Sequence, residues 1–326
     1  MNGLKNQILQ AVNTDLADIE VALTANLTTE VDFVSKVAGH ILFSGGKRLR
    51  PLLMVLCARM CGYRGDYAAT FSIIFEYLHV ATLLHDDLVD DARQRRGRPA
   101  AHTLWGRETA VLTGDFLLAR ALSIASRTND MRIIRSIAEI TENMAQGEIH
   151  QIQKKGDITL SESEYRDVIR RKTAVLFQGA CRVSAFLANA PESMEKALAD
   201  YGYHLGMAFQ MADDLLDYTQ DSQTLGKICG ADLREGKLTL PVIHALNSAS
   251  PIDRSAMIQI IHNPSFSEDE FQHLVALLDQ YGSITYTHHC ADVHILAAKT
   301  AMMSFNDSSC RDILLKIADY AVKRKS

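Results

Sequence analysis

Two copies of one acidic pattern, Asp86-Asp87-Leu88-Val89-Asp90 and Asp213-Asp214-Leu215-Leu216-Asp217, fall in apolar stretches of the chain. On an α-helix, positions i and i+4 share a face, with Cβ atoms roughly 5–6 Å apart. Asp86 is thereby aimed with Asp90, and Asp213 with Asp217. Leu83-Leu84 and Met211-Ala212 precede them, unlike the acidic runs of a solvated face. Carboxylates at this spacing repel, and unpaired ones are costly to bury. A cation between them removes both penalties. Oxygen-only donors from two opposed helices suit Mg²⁺, which binds through one or two carboxylates plus waters and a substrate phosphate. Two surface acidic patches without a ligand are the plain alternative, and the repetition of the pattern in apolar helices speaks against it.

Cations that could meet such a phosphate lie nearby in sequence. Ser44-Gly45-Gly46-Lys47-Arg48-Leu49-Arg50-Pro51 sets three of them beside a glycine pair and a helix start. That combination offers free backbone N–H groups, a positive dipole end and bidentate donors. Arg95-Arg96-Gly97 trails the first acidic motif, and Gly226-Lys227 and Gly236-Lys237 trail the second. Lys172-Thr173 sits mid-helix, next to apolar Val175-Leu176-Phe177; a solvated basic face is its bland reading.

The elements that must hold these residues read as helices throughout. No Gly or Pro occurs between Tyr67 and Asp91, enough for a long helix ending in the first acidic motif. Similar readings cover roughly 4–25, 29–43, 51–61, 108–127, 131–154, 162–189, 192–220, 239–248, 268–281, 285–304 and 308–323. Pro51 suits a first helical position. Ser161 with Glu164, and Ser267 with Glu270, fit the capping box that opens a helix. Gly114, Gly147, Gly179, Gly202 and Gly206 interrupt periodic segments at a cost of about 1 kcal/mol each against Ala. Close helix approach is the simplest reason, and room for a bulky ligand between helices is the other. No alternating strand, internal repeat or low-complexity linker stands out. The expectation is one all-α domain over residues 1–326.

Composition narrows the classes. With 326 residues, 47% hydrophobic and 22% charged, the chain is long enough for a large core. A formal net charge of −5 gives no global basic field for nucleic acid. Six cysteines lack metal-finger spacing; Cys57 and Cys61 read as core thiols, and the rest suit a reducing cytoplasm. Met1-Asn2-Gly3-Leu4-Lys5 lacks the pattern of a signal peptide, and no apolar run reaches 18 residues, so no transmembrane segment is expected.

His85-Asp86-Asp87-Leu88-Val89-Asp90 with Arg95-Arg96-Gly97 resembles the first aspartate-rich motif of the trans-isoprenyl diphosphate synthases. Phe209-Gln210-Met211-Ala212-Asp213-Asp214-Leu215-Leu216-Asp217 resembles the second. Gly45-Gly46-Lys47-Arg48-Leu49-Arg50-Pro51, Gly114-Asp115-Phe116, Lys172-Thr173, and Gly226-Lys227 through Asp232-Leu233-Arg234-Glu235-Gly236-Lys237 match in order. The motifs span about residues 30 to 245, and the likeness is strongest to the octaprenyl type that makes quinone side chains.

The resemblance implies a single bundle of antiparallel helices around a central active-site cavity. It implies Mg²⁺ held by Asp86, Asp90 and Asp213 with support from Asp217. Arg95, Lys172, Gln210, Lys227 and Lys237 would grip an allylic diphosphate, and Lys47, Arg50, His79 and Arg96 would hold isopentenyl diphosphate without metal. Thr173 and the carbonyl of Lys172 would steady positive charge on the allyl group. A homodimer, a cytoplasmic setting and release of product at a membrane surface follow from the same likeness.

Three other readings fit less well. A His-Asp phosphohydrolase would use His85, but has no upstream histidine partner here and leaves the paired aspartates unexplained. A terpene cyclase shares the first motif, yet usually carries an Asn/Ser/Glu motif in place of the second. A non-catalytic partner subunit has usually lost an aspartate motif, and both are present. For product length, the growing tail would run along the helix leading into Asp86. Short-chain relatives block that route with an aromatic residue four or five places before the first Asp. Here Thr82 and Ala81 stand there, with Leu78 a turn further back, so the route reads as open.

Overall fold

The computed structural model describes residues 2–219 and 230–323. Its helices are α1 (Asn2–Ala11), α2 (Asn13–Asn26), α3 (Asp32–Leu42), α4 (Leu49–Met60), α5 (Ala68–Val89), α6 (Ala101–Trp105), α7 (Arg107–Ser126), α8 (Met131–Gln153), α9 (Glu162–Ile169), α10 (Val175–Leu187), α11 (Glu192–Thr219), α12 (Ala231–Arg234), α13 (Leu240–Ser248), α14 (Pro251–Ile261), α15 (Glu268–Gln280), α16 (Ser283–Ala301) and α17 (Ser309–Lys323). One hydrophobic cluster runs through them from Ile8 to Ala321. Within it α5 packs on α7 and α4, α10 on α4, α8 and α11, and α11 on α16.

Both capping boxes form: the Ser161 and Ser267 hydroxyls accept from the N–H groups of Glu164 and Glu270, whose carboxylates return the bond. Several boundaries differ from the sequence reading. The first helix breaks at Val12, and α4 starts at Leu49, which puts Pro51 third in a turn whose N–H groups have no intrahelical acceptor. Helix α14 was absent from that reading, although Ser250 caps it by accepting from Asp253 N ahead of Pro251. A two-residue hairpin, β1 (Gln94–Arg95) with β2 (Arg98–Pro99), also stands where no strand was expected. Arg96 and Gly97 turn it with φ of 51° and 72°, both in the left-handed region that tight hairpins require.

Helices α5 and α7 are long and apolar enough to cross a membrane by length and composition. The acidic cluster sits at the very end of α5, leaving most of the helix apolar on all sides, as a helix enclosed by neighbours requires. Most of α5 is indeed buried, and less than half of α7 is.

Between α9 and α10 the helix continues through a π-helical turn, Arg170–Ala174, which carries Lys172 and Thr173. Such turns re-aim side chains and recur at functional sites. Two glycines confine this one. A Cβ on Gly147 of α8 would stand 2.7 Å from Arg171 Cβ and 2.9 Å from Lys172 N, and one on Gly206 of α11 would stand 2.6 Å from Ala174 Cα. Gly179 and Gly202 likewise admit Ile140 and the backbone at Phe177–Gln178, while Gly114 admits the imidazole of His85. Close approach is therefore what these helical glycines provide.

Candidate active site

A cleft of about 140 Å³ is walled by Gln151, Lys172, Thr173, Gln210, Lys237 and, from the second acidic motif, Asp214. Two of its lysines reach the first motif. Lys172 Nζ lies 3.8 Å from Asp86 Oδ2, and Lys237 Nζ bonds Asp90 Oδ2 at 2.7 Å. From the α11 side, Gln210 donates to Asp214 Oδ1 at 2.7 Å and accepts from the Thr173 hydroxyl at 2.8 Å. Tyr165 of α9 donates to Asp214 Oδ2 at 2.6 Å. Lys172 itself bonds Gln151 at 2.8 Å and pairs with Glu148, both on α8.

The carboxylates are short of positive charge. Burial and the charge of Glu148 raise Asp86 to about 6 against the pull of Lys172, Lys237 and Arg95. Burial, with the charges of Asp213 and Asp217, raises Asp214 to about 7 despite its hydrogen bonds from Tyr165 and Gln210. Asp90 is the exception: burial pushes it up, but Lys237 and Lys155 outweigh that and hold it below the usual range. Glu148 Oε1 and Asp87 Oδ2 are buried without a hydrogen-bond partner. Among the described residues no three His, Cys, Asp or Glu side chains form a cage for a metal by themselves. An under-neutralised, all-oxygen donor set of this kind fits a hard divalent cation that keeps waters and takes further oxygens from its substrate.

The remaining basic residues gather at the first motif's other flank. Arg95, in the hairpin, donates to Asp87 Oδ1 at 2.6 Å, and Asp87 is only 2% exposed. Arg96 donates to the carbonyl of Gly45, tying the hairpin to the Gly45–Lys47 loop. His79 lies among arginines: burial, then the charges of Arg50, Arg96, Arg95 and Arg48, push it well below its ordinary value and keep it neutral. The Arg50 guanidinium sits 4.6 Å from the Phe177 ring centre, and Phe177 packs on Phe209 with ring centres 5.1 Å apart. Lys47 lies over the Tyr320 ring of α17 at 5.8 Å. Arg48, by contrast, points into the core and bonds Glu76 at 2.8 Å and Glu20 at 2.6 Å.

The other residues singled out in the sequence are placed as follows. Asp217 is 8% exposed, and its two oxygens accept the backbone N–H groups of Ala231 and Asp232, each at 3.1 Å. It caps α12, and so anchors the loop that carries Lys237. A carboxylate facing the start of a short helix is drawn to unpaired N–H groups and the positive dipole end. Lys227 lies outside the described residues. Ala81 and Leu78 are fully buried, at 0% and 1% exposure, and Thr82 is half-buried with its hydroxyl on the His79 carbonyl. Asp213, one turn after Gln210, is exposed on α11.

The sequence reading gave no role to Tyr165, Glu148, Gln151, Lys155 or Asp87. Glu148 and Gln151 share a face of α8 at i, i+3 spacing, and Gln210 with Asp214 is an i, i+4 pair. Those spacings were a usable signal. Tyr165 had none, since its partner is 49 positions away.

The family model described as polyprenyl synthetase matches residues 31–278. The chain belongs to that family. It is 36% identical over 310 residues to the octaprenyl diphosphate synthase of Escherichia coli (strain K12), covering 95% of this chain and 96% of that one. Among solved structures, a decaprenyl diphosphate synthase from Rhodobacter capsulatus superimposes with a TM-score of 0.92 at 37% identity, covering 98% of this chain and 99% of that one. A polyprenyl synthase from Caulobacter crescentus CB15, complexed with calcium and isoprenyl diphosphate, gives 0.93 at 36% identity, covering 98% of each chain. The all-α bundle is thus of the isoprenoid synthase type, and the chain is a trans-prenyl diphosphate synthase, a transferase of prenyl groups.

Proposed function

We propose that this synthase condenses isopentenyl diphosphate repeatedly with an allylic diphosphate, such as farnesyl diphosphate, to a long all-trans chain of octaprenyl length for quinone side chains. The observation that carries the reading is the cleft in which Lys172 and Lys237, paired with Asp86 and Asp90 of the first acidic motif, stand beside Asp214 of the second. Octaprenyl length rests on the likeness to the Escherichia coli enzyme and on the small residues Ala81 and Thr82 before Asp86.

Asp86, Asp90 and Asp213 would hold Mg²⁺, which supplies charge neutralisation for the departing diphosphate. Lys172, Lys237, Gln210 and Arg95 bind that diphosphate, with Asp87 orienting Arg95. The allylic C–O bond breaks and the electron pair leaves with diphosphate. The alkene of isopentenyl diphosphate, held by Lys47, Arg50, Arg96 and neutral His79, attacks the allylic carbon. The resulting tertiary cation loses a proton to the released diphosphate. The Thr173 hydroxyl donates to Gln210, which leaves its oxygen lone pairs for the allylic cation, beside the carbonyl of Lys172. Fixed donors of this sort act because they need no reorganisation as charge develops.

The same reading extends to the whole chain as one domain working as a homodimer. Exposed apolar residues occur on α7 (Val111, Leu112, Leu122) and on the two helices packed against it, Leu104 on α6 and Ile149 on α8. Exposed apolar surface on packed helices favours a second copy. The free thiols of Cys57, Cys61, Cys181, Cys290 and Cys310 support a cytoplasmic setting, with the apolar product released at a membrane surface. The test is incubation of purified protein with Mg²⁺, isopentenyl diphosphate and farnesyl diphosphate, then chromatography of the dephosphorylated products. Elongation to a C40 alcohol is expected. Cyclised hydrocarbons, or no turnover, would overturn the reading.

A further inference from the structure

Lys155, in the turn that follows α8, bonds Asp90 Oδ1 at 2.9 Å, while Lys237 holds Oδ2 of the same carboxylate at 2.7 Å. The two lysines arrive on adjacent loops, because the Gly156 N–H donates to the Gly236 carbonyl at 2.8 Å. Their situations differ. Lys237 has a second carboxylate, Glu235, at 2.6 Å, whereas among the described residues Asp90 is the one carboxylate paired with Lys155.

Coordination by a divalent cation uses the lone pairs of Asp90 and brings two positive charges against both ammonium groups. Lys237 can fall back on Glu235. Lys155 loses its partner while its side chain is only 28% exposed, beside a cleft that already holds Lys172 and Lys237. The group that restores its pairing is a polyanion delivered to that cleft. We propose that Lys155 is a further diphosphate-binding residue, parked on Asp90 until a divalent cation takes that carboxylate and then turned onto the substrate's diphosphate. The inference rests on the assignment of Asp90 to the metal and of the cleft to an allylic diphosphate.

The consequence is a coupling of opposite signs. Lys155 opposes metal binding in the absence of diphosphate, since its ion pair must first be broken, and it favours diphosphate once the metal is in place. By linkage, the metal then strengthens diphosphate binding through Lys155 as much as diphosphate strengthens the metal. A residue that merely stiffened the loop would shift both affinities in one direction or neither.

Two calorimetric titrations test this on the full chain: Mg²⁺ into substrate-free enzyme, and inorganic diphosphate into enzyme saturated with Mg²⁺. Lys155→Met should bind Mg²⁺ alone about two- to fivefold more tightly, the range set by a partly exposed ion pair that no longer has to be broken. The same variant should bind diphosphate about ten- to a hundredfold more weakly, the loss of one charge-assisted hydrogen bond. Lys155→Arg, which keeps the charge and donors, should retain most of the diphosphate affinity. Unchanged diphosphate binding by Lys155→Met, or parallel weakening of both ligands, would overturn the proposal. Failure of the unmodified enzyme to bind diphosphate with Mg²⁺ would instead overturn the assignment of the cleft.

Discussion

The hydroxyl of Tyr165 donates to Oδ2 of Asp214 across 2.6 Å, and both residues line the cleft. That bond ties α9, which leads into the π-helical turn with Lys172 and Thr173, to the second acidic motif on α11. Asp214 is 4% exposed, with Gln210 on its other oxygen. Its carboxylate is therefore a structural hub between the groups that face the substrate.

Tyr165→Phe removes one donor and leaves a buried oxygen unpaired. The expected cost is about 1–3 kcal/mol, the penalty for a buried acceptor without its partner. Urea unfolding with an unchanged slope and a lower midpoint would register it; an unchanged midpoint would show that another donor replaces the hydroxyl.

Gly206→Ala tests the confinement of the π-helical turn. The new Cβ would meet Ala174 Cα at 2.6 Å, a backbone contact that cannot give way by a side-chain rotation. Thr173 and Lys172 must shift with it. A displacement near 1 Å in a reacting site costs on the order of 100-fold, so kcat should fall by about that factor. The KM for isopentenyl diphosphate should change less: among its cations, Arg50 meets the disturbance through Phe177, whose Cβ lies 3.1 Å from the new one, while Lys47, His79 and Arg96 lie on other segments. Steady-state kinetics with both substrates varied separate the two parameters.

A cluster away from the cleft sets a pH dependence. His204 Nδ1 and His294 Nδ1 are 2.8 Å apart, and Arg166 lies 3.3 Å from His294 Nε2. The guanidinium can only donate, so Nε2 accepts and the His294 proton sits on Nδ1, bonded to His204. Burial, with His204 and Arg166 opposing a second proton, lowers His294 from 6.5 to about 4. Tyr203 packs against both rings, Arg166 also pairs with Glu162 at 2.7 Å and donates to Cys290, and Asp200 acts on His204. A depressed histidine means that the unfolded chain binds more protons between those values. Stability from this group is complete above about pH 6.5 and declines as pH falls toward 4. His294→Gln should flatten the dependence of the urea midpoint on pH across that interval. An equally steep profile in the variant would place the titration elsewhere.

The fold and the two acidic motifs were legible because each depends on spacing along one helix: Asp86 with Asp90, Asp213 with Asp217, Ser161 with Glu164. What the spacing did not show were relations between elements. The bonds of Tyr165 with Asp214 and of Lys155 with Asp90 join residues 49 and 65 positions apart. The surroundings of Asp217 were hidden for a related reason. Its i+4 position after Asp213 is the same as that of Asp90 after Asp86, but α12 folds back to offer it two N–H groups, whereas Asp90 meets two lysines. The helical glycines were readable as costs, and the structure supplied the reason for each. The hairpin was missed because two-residue strands carry no alternation, although the positive φ of Arg96 and Gly97 is what a turn beside a glycine allows.

Product length gives the remaining test. Ala81 and Thr82 stand five and four positions before Asp86 on α5, and helical side chains tilt toward the N-terminus. A bulky group at 81 therefore lies on the turn beneath the acidic cluster, across the route of a tail that lengthens along α5. Ala81 is fully buried, so a phenylalanine there must displace its neighbours at a cost of typically 1–3 kcal/mol. A tail reaching that level meets the ring within about one helical turn, ~5.4 Å, below the acidic cluster. Ala81→Phe should keep the first condensation and move the main product to a chain of about three or four isoprene units, an estimate from that one-turn distance. The diphosphate-binding groups are untouched, so the KM for isopentenyl diphosphate should hold. Chromatography of the dephosphorylated products reads the outcome directly. An active, folded variant that still makes the long product would show that the tail leaves between other helices, and that Ala81 and Thr82 do not set its length.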